Sequence, residues 1–462
     1  MAYHCFIKNS KFYLFDIPNI IYCNVSEELA MALLNDNLQG LSYDNSQVID
    51  YFKKKHVFLE SGETSFLKKD PRQIYFSFPP AHLCNLNCKY CFADAGENYI
   101  GSNKLMSPQM AKNISEFIIN QFPMYQYFRL DLTSGGEPLI DKRQFKSLIT
   151  AVRETFNKYE KNLFIWMSTN GTLLTSDIIP FLQKNEVYFG ISLDGPQPYH
   201  DKMRCYKNGQ GTYDDITQNI NNILNNSAYK QSVKELWGLS VITNQAPSLI
   251  EIINTYKQLN FRTLQMRFVR SNNSNLRIDD KYIKNIKENI DDLCNYFILQ
   301  AQEESIQSLL LIANDNDYIG KLFRRLILNM PYIQRCFAGE YKFSFTANGD
   351  IYPCDAFVGL DSFKIGDLAR GLYNIDCFKP ETVEHRRPCQ ECWARYVCGG
   401  DCYHNSYLVN GSILTPDPVF CCCTKYIVEA AIATLCEISS INASLYSALV
   451  KKLRLRTHIS NT

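Results

Sequence analysis

Three cysteines in the run Cys84-Asn85-Leu86-Asn87-Cys88-Lys89-Tyr90-Cys91 stand at the spacing C-x3-C-x2-C. Three thiolates are one short of the four protein ligands that a structural zinc ion usually takes. They suit a cubane iron–sulfur cluster: each holds one iron, and the fourth iron stays open to a small molecule. A zinc knuckle, or cysteines buried incidentally, is the plainer alternative. Eleven of the eighteen cysteines fall later, between Cys336 and Cys436. The pattern there is Cys336, Gly349 and Cys354, then Cys389-x2-Cys392-x5-Cys398-x3-Cys402, then the triplet Cys421-Cys422-Cys423. Pairs at C-x2-C also suit zinc, so a two-zinc ribbon is the alternative in this region. Between the two groups lie Ser134-Gly135-Gly136-Glu137-Pro138, Ser168-Thr169-Asn170-Gly171, Ser192-Leu193-Asp194-Gly195-Pro196 and His200-Asp201-Lys202-Met203-Arg204. Paired glycines let backbone approach a ligand closely, and the Glu137 carboxylate can receive an ammonium group. Ordinary strand-end turns use the same residue types.

Tyr90 and Phe92 flank the last cysteine of the first motif, and Gly-Gly-Glu-Pro follows it. Together these resemble the radical S-adenosylmethionine (SAM) family. The resemblance implies a cluster on Cys84, Cys88 and Cys91, with the methionine moiety of SAM on the open iron and cleavage to a 5′-deoxyadenosyl radical. It assigns SAM contacts to Tyr90, Gly135, Gly136, Glu137, Ser168, Asn170, Ser192, Asp194, Arg204, Gln265 and Met266. Among these, Gly135 to Glu137 would take the amino group, Ser192 and Asp194 the ribose, Arg204 the carboxylate, and Gln265 and Met266 the adenine.

The C-terminal pattern resembles the SPASM domain, which holds two auxiliary [4Fe–4S] clusters and brings the expected number of clusters to three. Cys336, Cys354 and Cys402 match the first. Cys389, Cys392, Cys398 and one of the triplet match the second. Cys421, with eighteen residues between it and Cys402, is the nearest fit. The first set is one ligand short, so an iron open to solvent or to a substrate thiolate is expected. Cys377 is the remaining nearby cysteine. Asp355 follows Cys354 directly, where sulfatase-maturing relatives carry their proposed catalytic base and many thioether-forming relatives carry His.

The runs Cys336-Phe337-Ala338-Gly339-Glu340-Tyr341 and Cys392-Trp393-Ala394-Arg395-Tyr396 look most like maturases of Cys-rich ribosomal peptides. That resemblance implies hydrogen abstraction from an unactivated carbon and attack by a substrate Cys sulfur, with the remaining electron passing to an auxiliary cluster. The implied partners are a precursor peptide (leader plus Cys-rich core) and an electron donor such as flavodoxin or ferredoxin. One alternative is a sulfatase-type maturase that makes formylglycine from Cys or Ser. Another is a non-catalytic iron–sulfur carrier or scaffold, which has no use for Gly-Gly-Glu-Pro or Arg204.

The elements that must position these residues follow from pattern. A chain of 462 residues is long enough for two or three domains. Residues 1–70 read as a small winged-helix-like unit for peptide recognition. Its short strands are broken at Asp16-Ile17-Pro18-Asn19, Ser26 caps a helix through Leu34, and a second helix runs from Gln47 to Lys55. A free sheet edge there could take a peptide as an added strand.

Residues 71–275 alternate strand and helix. The strands are Ile74–Phe78, Phe128–Leu132, Leu163–Met167, Val187–Leu193, Glu235–Val241 and Thr263–Val269, a partial (β/α)6 TIM-like barrel with its site at the strand C-termini. Residues 276–330 read as a helical bridge, 331–440 as the auxiliary-cluster region, and 441–462 as a helix with a basic tail.

Net charge is +1, from 48 basic and 47 acidic residues. This leaves no electrostatic footprint for nucleic acid. The absence of an unbroken run of ~18 apolar residues argues against membrane insertion. The start Met1-Ala2-Tyr3-His4-Cys5 has no signal-peptide profile, so a cytoplasmic protein without a disulfide framework is expected.

Overall fold

The computed structural model describes residues 3–35, 41–56, 72–96, 101, 103–133, 135–225, 236–271 and 273–459. Ser134, Glu235 and the end of the N-terminal unit, residues 57–71, lie outside them. The six expected strands form as β4 (Ile74–Ser77), β5 (Tyr127–Leu132), β6 (Asn162–Thr169), β7 (Val187–Ser192), β8 (Trp237–Ile242) and β9 (Thr263–Phe268). They are parallel, and neighbours in the sheet are neighbours in the chain. Alternation sets the two faces. Phe128, Leu130 and Leu132 are buried in the apolar core, while Arg129 and Asp131 share the opposite face and pair at 2.7 Å.

The sheet continues into the cysteine-rich region. β10 (Lys342–Phe345) runs parallel to β4, with Lys342, Phe343 and Ser344 opposite Tyr75, Phe76 and Ser77. β11 (Asp350–Tyr352), β12 (Gly366–Asp367) and β13 (Gly371–Leu372) then add on as antiparallel strands, giving ten in all.

At the N-terminus, β1 (Tyr3–Lys8), β2 (Lys11–Asp16) and β3 (Ile21–Val25) form an antiparallel sheet in that order, so β1 and β3 are both edges. The breaker works as read: the Asp16 carboxylate accepts from the backbone and side-chain nitrogens of Asn19 at 3.3 and 2.7 Å. Ser26 caps the helix Glu27–Leu34 by accepting from Leu29 N–H. The second helix, Tyr43–His56, starts earlier than expected. One face of this sheet, with Phe6, Tyr13 and Phe15, belongs to the main core. Its ring of polar ties includes His4 stacked on Trp393 at 3.8 Å and Lys8 paired with Asp291 at 2.6 Å.

The helix Pro418–Ile441 is the one helix among the described residues long and apolar enough to cross a membrane. Much of it is buried against neighbouring elements, as expected of a core helix.

Candidate active site

Cys84, Cys88 and Cys91 occupy the loop after β4, each half-buried. Burial raises the pKa of Cys84 and pushes Cys88 up to about 12, and the neighbouring thiols add to both. Thiols held this high stay protonated unless a metal takes the charge. Leu86 N–H and Ala95 N–H point to Cys84 Sγ and Cys91 Sγ at 3.4 Å each. Such donors suit sulfur that carries negative charge. Among the described residues, no three metal-binding side chains converge as they would around a single ion. A cubane spreads its ligands over separate irons and needs a wider triangle.

The next loop packs its glycines against the chain itself. The space that a Cβ would need at Gly136 is filled by Leu83 backbone, with its carbonyl oxygen 1.7 Å away. At Gly135 it is filled by Pro79 and Ala81. The glycines therefore admit the chain that leads into the cysteine loop, and Gly136 N–H and Glu137 N–H donate to the carbonyls of Ala81 and Leu83 at 2.7 and 2.8 Å. The Glu137 carboxylate is 2% exposed. It accepts from Thr169 Oγ1 at 2.6 Å, Asn170 N–H at 2.7 Å and Leu139 N–H at 3.2 Å, so it joins the end of β6 to this loop. Asn170 likewise turns its amide to Asn85 at 2.9 Å.

Across the loop stand Tyr90, Asp194 and Arg204. The Tyr90 hydroxyl donates to the Asp194 carboxylate and accepts from Arg204 Nη1 at 2.7 Å. Asp194 Oδ1 also accepts from Val241 N–H. Burial raises the Asp194 pKa, and Arg204 opposes the rise. Arg204 is buried, yet its Nε has no partner among the described residues. An orphaned guanidinium N–H beside the cysteine loop fits a ligand carboxylate. Ser168 and Ser192 lie half-buried at the C-terminal ends of β6 and β7. Gln265 and Met266 face opposite sides of β9. Gln265 accepts from Arg267 at 3.2 Å, whereas Met266 lies fully within the core and its N–H donates to Asp317. At most one of the two side chains can face the barrel interior.

A family model for the radical SAM superfamily matches residues 78–245, which contain all three cysteines and the Tyr90–Asp194–Arg204 group. Residues 78–245 form a radical SAM domain, and the chain is a radical SAM enzyme. This radical SAM enzyme is 28% identical over 376 residues to the cysteine-type anaerobic sulfatase-maturating enzyme of Clostridium novyi (strain NT), across 78% of this chain and 96% of that one. It is 24% identical to the serine-type anaerobic sulfatase-maturating enzyme of Bacteroides thetaiotaomicron, across 71% and 82%. It is 25% identical to the radical SAM cyclopropyl synthase TigE of Paramaledivibacter caminithermalis, across 50% and 54%. The solved structure of native anSMEcpe with bound AdoMet shares the fold, with a TM-score of 0.62 at 20% identity, covering 80% of this chain and 100% of that one. The enzyme therefore falls in the group that includes the anaerobic sulfatase maturases, and Cys84, Cys88 and Cys91 with the orphaned Arg204 donor fit its cluster and SAM.

Sequence reasoning gave His200 no role, although its i, i+4 spacing from Arg204 puts both on one helical face. His200 Nδ1 accepts from Asp194 N–H at 3.1 Å, and its Nε2–H donates to Thr212 Oγ1 at 2.9 Å. Thr212 in turn donates to the Arg204 carbonyl at 2.9 Å. The ring thus fixes both ends of the Asp194–Arg204 segment. Burial and then Arg204 lower its pKa from 6.5 to about 3. The folded ring stays neutral where the unfolded one takes up a proton, so its contribution is intact above pH 6.5 and is lost as pH falls toward 3. The urea midpoint of the cluster-free protein is expected to be lower at about pH 5.5 than at about pH 7.5, and His200→Asn should flatten that difference. An equal pH dependence in the variant would remove His200 as its source.

The C-terminal cysteines gather in two groups. Cys402 lies close enough to both Cys336 and Cys354 to add to pKa values that burial, the main cause, already raises. Cys377 sits apart, its Sγ 4.0 Å from the Lys364 carbonyl and beside Asp376. Cys421 is raised by burial and then by Cys398, Asp401, Cys389 and Cys392. Cys423 instead faces Cys422, Asp417 and Lys287. Asp355 lies 3.7 Å from Lys342 Nζ. Burial alone would lower the Lys342 pKa, but Asp355 and Cys354 together raise it. Arg270 bridges the two halves: its Nη1 donates to Cys402 Sγ at 3.6 Å, and its guanidinium lies 5.5 Å from the Phe92 ring, next to Cys91. Neither Arg270 nor Lys342 belongs to a sequence motif, and only the fold brings them to the site.

Proposed function

We propose that this radical SAM enzyme is a cytoplasmic peptide maturase that joins a Cys sulfur to a carbon within a ribosomally made, Cys-rich precursor. The C-terminal cysteines would hold two auxiliary [4Fe–4S] clusters, and a flavodoxin or ferredoxin would supply electrons. The observation that carries this reading is the group Cys336, Cys354 and Cys402, linked through Arg270 to the cysteine loop of the radical SAM site. Three thiolates leave one iron of a cubane without a protein ligand, and a substrate thiolate fits there.

When bound, SAM and its cluster would supply the radical chemistry needed to remove a hydrogen atom from the peptide. The chain's own side chains bind and orient. Arg204 would hold the SAM carboxylate, and Asp194 and Ser192 the ribose. Asp355, with Lys342 Nζ at 3.7 Å, would accept the proton released at the substrate.

Asp355 and the likeness to sulfatase-maturating enzymes favour a second reading, oxidation of Cys or Ser to formylglycine. Mass spectrometry of the products separates the two. A thioether loses two hydrogens per crosslink, keeps every sulfur and ignores carbonyl reagents. A carbonyl-reactive product would decide for the second reading.

The N-terminal sheet would hold the leader by strand addition at β1 or β3. One face of it is main core, so deleting residues 1–70 would uncover the helix Pro418–Ile441. Proline at an exposed position of each edge, Ile7→Pro in β1 and Asn24→Pro in β3, is the gentler probe. One of the two is expected to weaken leader binding roughly threefold to tenfold, the worth of a lost main-chain hydrogen bond. SAM cleavage without peptide should not change. Unaltered affinity in both variants would exclude strand addition.

A further inference from the structure

Lys321 is the second residue of the helix Gly320–Leu328. It is 3% exposed, and its ammonium has no hydrogen-bond partner among the described residues. Burying an unpaired charge is costly enough that a fold retains one only where something compensates it. The neighbouring cations do the opposite: Arg335 and Arg325 oppose the charge, while Cys398 and Asp317 favour it.

Asp317 is occupied, accepting the backbone N–H groups of Met266, Ile319 and Gly320. The Tyr318 ring, 4.9 Å from Nζ, offers only a π face. Arg325 is anchored as well. Its Nη1 donates to the carbonyls of Val397 and Cys398 at 2.7 and 2.9 Å, and its guanidinium lies 3.6 Å from the Tyr332 ring centre. Lys321 stands one helical turn before Arg325, whose Nη1 reaches the Cys398 carbonyl at 2.9 Å, and it is left with free donors near Cys398, one of the four cysteines gathered as Cys389, Cys392, Cys398 and Cys421. Four thiolates around an iron–sulfur core make a net anion.

We propose that Lys321 is the buried counter-cation of the cluster held by these four cysteines and that it sets how readily this cluster accepts an electron. The inference rests on the auxiliary-cluster reading above. Reduction adds negative charge, so a fixed cation favours the reduced form and raises the midpoint potential.

The test uses the full chain, anaerobically reconstituted with iron and sulfide, as wild type, Lys321→Met and Lys321→Arg. Three readouts apply: iron per chain, an EPR-monitored redox titration with dithionite, and thermal unfolding of the cluster-free protein. Lys321→Met is expected to keep its iron and to shift one auxiliary midpoint to more negative potential, while Lys321→Arg stays near wild type. Without clusters, Lys321→Met should unfold at a higher temperature than wild type, because the uncompensated charge is gone. Full iron with an unchanged midpoint overturns the inference. Wild-type protein without iron at these four cysteines overturns the auxiliary-cluster reading instead. If Lys321→Met does not fold, Lys321→Gln replaces it, with the same negative shift required. Failure of both neutral variants to fold without clusters also overturns the inference, which requires a neutral side chain to be better tolerated there.

Discussion

Replacing Cys84, Cys88 and Cys91 together by Ala is expected to abolish formation of 5′-deoxyadenosine from SAM while the C-terminal cysteines still retain iron. The three lie on one loop after β4 and receive two backbone N–H groups, and burial raises the pKa of Cys84 and Cys88. The C-terminal cysteines lie on other elements and couple among themselves. The iron lost should thus equal one cluster. The measurements are iron and sulfide per chain and a chromatographic assay of 5′-deoxyadenosine under reducing, oxygen-free conditions. Undiminished 5′-deoxyadenosine would sink the assignment of the site. Loss of all iron would show that the two regions fold around their metals as one unit.

Gly136→Ala should be almost as severe, although it removes no ligand. Its new methyl group would overlap the Leu83 backbone, with the carbonyl carbon 2.1 Å and the nitrogen 2.5 Å from it. Backbone cannot swing aside as a side chain can, so the loop segment leading to Cys84 must move bodily. A displacement near 1 Å at a reacting centre costs on the order of 100-fold in rate. A loss of at least that size in SAM cleavage is expected, together with weaker cluster retention. Gly411→Ala is the control: nothing lies within 4 Å of its added carbon, and only its left-handed backbone is penalised, by about 1 kcal/mol. Full cleavage and full iron in Gly136→Ala would show that the loop has slack the packing does not reveal.

The sequence already showed the chemistry at the level of spacing. The cysteine intervals, Gly-Gly-Glu-Pro and the six strand–helix repeats are local patterns. The turn at Asp16 and the cap at Ser26 are also local, and both form as read. What stayed hidden depends on partners far away in the chain. No pattern near Lys342 announces that β10 pairs with β4, because a parallel pairing over that separation leaves no turn signature. The glycines at 135 and 136 showed that something approaches closely, but whether ligand or chain does so is a tertiary fact. Within the cysteine triplet, successive helix positions point in different directions, so burial of Cys423 and exposure of Cys421 to the other three thiols could be assigned only once the helix was docked. Lys321 looked like any lysine in a helix with other basic residues.

The pairing of β10 with β4 has a mechanical consequence. β4 leads into the loop that carries Cys84, and β10 lies between Cys336 and Cys354. Backbone hydrogen bonds clamp the two strands side by side, and Ser77 Oγ and Ser344 Oγ meet across them at 3.0 Å. Without a hinge at this join, the gap between the two cysteine groups acts as a fixed gauge. On the proposed thioether-forming reading, a peptide would have to bring both reacting atoms into it by bending its own chain. Substrates would then be sorted by the reach between sulfur donor and attacked carbon, a ruler made from the register of a β-sheet.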